Sequence, residues 1–139
     1  MVLSSVQPML RTAAWGIALA CASLGAQAQS PYRACVITST LQVMGTPTVQ
    51  TDCLQGANDI KRPAIKERCE GVAWHSAGGM GRRNSALLEW TAQCPRHADA
   101  VCEGAFDGDF NVHHYNRSPG QLAALAEQCA TEQGRWREF

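Results

Sequence analysis

The side chains able to do chemistry in this sequence are six cysteines between Cys35 and Cys129, the pair His113-His114, the acidic residues Glu89 and Glu103, and Arg82-Arg83 in a glycine-rich stretch. Adjacent histidines on a strand point to opposite faces, so His113 and His114 do not share one ion. His75 and His97 fall in unrelated stretches, and no H-E-x-x-H or C-x-x-C pattern occurs. No metal and no cofactor is expected. Asp107, Asp109 and Asn111 begin like a calcium loop, but the glycine is misplaced and the later glutamate is missing, so a hairpin turn accounts for them. Asn116-Arg117-Ser118 matches a glycosylation sequon; Pro119 disfavours its use, and helix capping already accounts for Ser118.

Catalysis finds little support, and no catalytic residue is assigned. The G-x-S-x-G elbow is absent, and cysteines held in disulfides offer no thiolate. Glu89 and Glu103, read on neighbouring strands, form the one carboxylate pair that a small hydrolase would use, with a required separation of about 5–9.5 Å. The stretch GGMGRRN, Gly78 to Asn84, carries two adjacent arginines among three glycines and no acidic residue. It lacks the Gly-Lys-Ser/Thr ending of a phosphate-binding loop. As an arginine-bearing loop on a rigid scaffold it suits an acidic partner, with Met80, Arg82 and Arg83 as the partner-binding residues.

The N-terminus places these groups in a compartment. Arg11 precedes an apolar run from Ala13 to Leu24, followed by small residues at Ala26 and Ala28. That order predicts a secretory signal peptide over 1–28, cleaved after Ala28. The apolar run is shorter than the roughly 20 residues of a spanning helix. A lipoprotein route through Cys21 is the alternative. Net charge over the 139 residues is zero, and loss of Arg11 leaves −1 from Gln29 to Phe139. A nucleic-acid binder would show a strongly basic face.

With export, the even set Cys35, Cys53, Cys69, Cys94, Cys102 and Cys129 implies a disulfide framework. The elements that must position it are legible by periodicity. Cys35 to Val43 alternates as a strand, Gly45 and Pro47 mark a turn, and Val49, Thr51 and Cys53 continue a second strand. Setting Leu41 opposite Pro47 brings Cys35 across from Cys53. Asp59 or a neighbour caps a helix in which Ile65, Cys69, Val72 and Ser76 share a stripe. Ala86 to Cys94, VCEGAF and FNVHHY read as a three-stranded antiparallel meander, with Cys94 and Cys102 flanking its first turn and Phe106 opposite Phe110 across the second. Ser118-Pro119-Gly120-Gln121 starts a last helix bearing Leu122, Leu125, Ala126 and Cys129, and Gly134 ends it. Trp136 in the RWREF tail folds back on the core.

The expected pairs are therefore Cys35–Cys53, Cys94–Cys102 and, by elimination, Cys69–Cys129. The fold class is a small disulfide-stapled α+β domain over 29–139: hairpin, helix, meander, C-terminal helix. Its expected role is an exported, periplasmic or secreted non-enzymatic binding module, such as an inhibitor or immunity-type partner of an envelope protein. A small envelope hydrolase using Glu89 and Glu103, or a structural or surface-associated envelope protein, are the alternatives. No nucleic acid and no transmembrane segment after signal cleavage are expected.

Overall fold

The computed structural model describes residues 32–78 and 85–139. The segment expected to be a signal peptide and the residues Met80, Arg82 and Arg83 lie outside them. The described residues form an antiparallel sheet of six strands and two helices, joined by three disulfides.

The sheet grows from the hairpin of β1 (Ala34–Val43) and β2 (Thr46–Gly56). Its turn is two residues, Met44 and Gly45, with left-handed φ of 51° and 83°. Such a turn matches the natural twist of paired strands, and glycine takes the second left-handed position without strain. The turn fixes the register: Gln42 stands opposite Pro47, Cys35 opposite Leu54, and Val36 opposite Cys53. This is one residue away from the expected register, and a one-residue slip reverses every side chain. Cys53 therefore faces the side of the sheet away from Cys35, and the pair Cys35–Cys53 is excluded.

Helix α1 (Arg62–Ser76) starts with proline in its first turn but has no side-chain cap; Lys61, not Asp59, occupies the N-cap position. Its buried residues are Ile65 and Cys69, and Cys69 reaches down to Cys35. Ile65, Cys69, Cys35, Ile37, Leu54 and Phe110 make the main core on this inner face.

Strand β3 (Ser85–Thr91) pairs with β1, Leu88 opposite Ile37, at one edge of the sheet. Strands β4 (Ala100–Ala105) and β5 (Phe110–Tyr115) form the second hairpin, and β5 pairs with β2. The strand order is β3-β1-β2-β5-β4-β6, so β3 and β4 are not neighbours and the expected meander is split. Residues 92–99 carry the chain between them as a strap over the outer face. Cys94 is tied there to Cys53, Cys94 N–H donates to Gln55 Oε1 at 3.0 Å, and Tyr115 O–H donates to Pro95 O at 2.6 Å. The short Cys94–Cys102 bond gives way because Cys94 closes this outer layer while Cys102 faces inward. Between β4 and β5 the register shifts after Cys102, and Ala105 rather than Phe106 stands opposite Phe110. Phe106 and Asp107 take left-handed φ of 54° and 64° in the longer turn, and the Phe106 ring meets Phe110 edge-on at 6.0 Å.

Helix α2 (Pro119–Thr131) begins with the expected capping box, Ser118 and Gln121. Its Cys129 bonds to Cys102, which removes Cys129 from Cys69. The tail is a sixth strand, β6 (Arg135–Glu138), with Trp136 opposite Cys102 on the inner face. Gly134 makes this junction: a Cβ there would lie 2.5 Å from Cys102 Sγ and 2.8 Å from Cys129 Sγ. The disulfides span 34, 41 and 27 residues of sequence. By chain-entropy arguments, closures of that length contribute about 3.5–4 kcal/mol each.

Candidate functional site

Two features stand out once the elements are placed. The first is the tip of the β1–β2 hairpin. Strand β3 covers β1 only from Ala34 to Thr40, and β5 covers β2 only from Thr51 to Gly56. Among the described residues, no strand neighbours the hairpin beyond those positions on either side. Three apolar side chains there are exposed, Val43 at 49%, Met44 at 100% and Val49 at 56%. Folding alone gives no reason to place a fully exposed methionine between β-rich strands. Ser85, the next described residue after Gly78, stands opposite Thr40 beside this tip.

The second feature is a cleft on the inner face. Helix α1 packs over β1 and β3, helix α2 over β4 and β6, and the helices do not pack on each other. The gap between them is a cleft of about 230 Å³, floored by Leu54, Val112, Asp52 and His114 and walled by Val72 and Leu125. His114 Nδ1 donates to Asp52 Oδ1 at 2.7 Å, and the Arg117 guanidinium donates to the same oxygen at 2.6 Å. The Arg117 side chain is only 3% exposed, and it also donates to Tyr115 O at 2.9 Å. Its backbone N–H donates to Asp99 Oδ2 at 3.0 Å. The network thus ties β2, β5, the strap and the start of α2 through two carboxylates, Asp52 and Asp99. Fixing these elements is its evident work. It has an orienting acid and a possible base, but every described cysteine is bonded and Ser76 is the one hydroxyl side chain lining the cleft.

The residues singled out by sequence are not gathered into one site. Glu89 and Glu103 lie on β3 and β4, with β1, β2 and β5 between them. At usual strand spacing that is about 19 Å, well beyond a glycosidase pair. Glu103 is instead held by Arg135 and Arg137, at 2.9 and 2.8 Å. Those bonds, Arg135 first, keep its carboxyl below the ordinary carboxylate range. His113 and His114 do face opposite sides, as strand geometry requires. No group of three potential metal ligands occurs among the described residues.

Sequence reasoning missed Asp52 and Arg117. The available signal was Asp52 itself, a charge at an inward position of β2, which demands a partner when buried. With the hairpin register off by one, that position read as outward. No family model, curated protein or solved structure matches the chain.

Proposed function

We propose that this chain is an exported, non-enzymatic binding module, freed by cleavage after Ala28, that engages an envelope or secreted protein with the tip of its β1–β2 hairpin. The observation that carries the reading is the exposure of Val43, Met44 and Val49 on a projection that no other strand among the described residues flanks. Exposed apolar side chains on a rigid support are features of recognition surfaces, and methionine adapts to irregular partner pockets. A projecting, disulfide-anchored hairpin suits an inhibitor or immunity-type partner that inserts into a cleft of its target. Met80, Arg82 and Arg83, which precede Ser85 in the sequence, supply a second partner contact of one adaptable apolar side chain and two guanidinium groups. Three disulfides fit a protein that folds outside the reducing cytosol. No helix among the described residues is long and apolar enough to cross a membrane.

Affinity capture from envelope extract with the oxidised protein tests this. Met44→Asp with Val49→Asp should remove the specifically captured partner while the thermal midpoint stays in place. Capture undiminished by that double change, and equally by Arg82→Ala with Arg83→Ala, would overturn the reading.

A further inference from the structure

The strap of residues 92–99 roofs a second cleft, on the outer face, of about 350 Å³. Pro95, Val101 and Phe139 form apolar walls, and Arg96, His97 and His113 supply its charged and polar groups. Of the cleft between the helices, the groove along α1 and this one, only this one is lined without a carboxylate.

The three basic side chains come from separate parts of the chain. His113 projects outward from β5, opposite Val101 and Cys53. Arg96 and His97 line the cleft from the strap, which is anchored on both sides by the Cys53–Cys94 bond and by Phe139 N–H donating to Asp99 O at 3.0 Å. His97 sits at a left-handed φ of 66°, a conformation that side-chain-bearing residues seldom hold without a constraint. Arg96 has no ion pair among the described residues. Glu103, an acid that acts on the His113 ring, is already taken by Arg135 and Arg137. Arg137 itself lies over the Phe139 ring, 5.4 Å from its centroid, at the rim of the apolar wall. The cleft thus presents an uncompensated guanidinium and two imidazoles above an apolar floor. A guanidinium matches a carboxylate by paired N–H donors, and neighbouring imidazole N–H groups add to that.

We propose that the cleft under the strap binds a carboxylate carried on a short apolar body, the anion against Arg96, His97 and His113 and the body against Val101 and Phe139. This site is separate from the hairpin tip, and neither depends on the other.

The test is NMR titration of the intact oxidised protein with hexanoate and with N-acetylphenylalanine, the second standing for a peptide C-terminus. Acetate and hexylamine are the controls. At least one of the two long carboxylates should bind saturably and shift the His113 ring resonances, with acetate at least fivefold weaker and hexylamine without effect. The tighter of the two identifies whether a free acid or a chain end is the preferred source. Arg96→Ala should weaken binding at least tenfold, and His97→Ala at least threefold as an independent variant on an exposed position. Absence of saturable binding, an unmoved His113 ring, hexylamine binding as tightly as hexanoate, or full affinity in Arg96→Ala would each overturn the proposal.

Discussion

Cys35 and Cys53 sit on adjoining strands yet face opposite sides of the sheet, because Cys35 stands opposite Leu54 and Cys53 opposite Val36. Cys35 therefore bonds down to α1 at Cys69, while Cys53 bonds up to the strap at Cys94. One two-residue turn thus decides which layer each staple holds. Non-reducing peptide mapping should return Cys35–Cys69, Cys53–Cys94 and Cys102–Cys129. Recovery of Cys35–Cys53 or Cys94–Cys102 would show that the register is wrong.

The turn also explains how far the sequence could be read. Alternation along Ala34–Val43 and Phe110–Tyr115, and the stripe of Ile65 and Cys69, locate strands and helices because burial on one face imposes a period. The capping box at Ser118 is equally local. Pairing is not local: nothing in SALLEWT says that β3 returns to β1 rather than advancing to β4. The difference between a two- and a three-residue hairpin loop moves Cys53 across the sheet without changing the pattern of either strand. The inward facing of Asp52 was hidden for the same reason, and the exposed Met44 gained meaning only when the neighbours of the hairpin were known to stop short.

Gly134 carries the junction of α2, β6 and the Cys102–Cys129 bond. An added methyl group would meet two bonded sulfurs that cannot rotate away. Gly134→Ala should cost about 1–3 kcal/mol, as overpacking does. Thermal unfolding should show a fall of at least about 4 °C per kcal/mol. An unchanged midpoint would contradict the close approach.

Asp52 neutralises an almost fully buried guanidinium at Arg117. Removing one partner of such a pair strands the other, which costs about 3–5 kcal/mol, whereas an apolar replacement of both is better tolerated. Asp52→Ala should be strongly destabilised in urea unfolding, and Asp52→Ala with Arg117→Met should recover part of the loss. Additive losses in the double variant would deny the coupling.

Burial, followed by the neighbouring His114, holds the His113 imidazole below its ordinary 6.5, while Glu103 opposes the shift. Arg96 and His97 line the same cleft from the strap. The unfolded chain then takes up a proton at His113 more readily than the folded one, so folding loses stability as pH falls from 6.5 through the lower folded value. Urea midpoints measured at intervals below pH 6.5 should decline less steeply in His113→Gln than in the parent. Parallel profiles would assign the decline to other groups.

Recognition through the hairpin tip is tested most directly by site-specific photocrosslinking in cells that export the protein. A photoreactive residue is placed at Met44, with Ala123 on the exposed face of α2 as the control position. Irradiation should give one discrete adduct from position 44, lost on adding Val49→Asp, and none from position 123. No adduct at position 44, or the same adduct from position 123, would contradict a partner held at the tip.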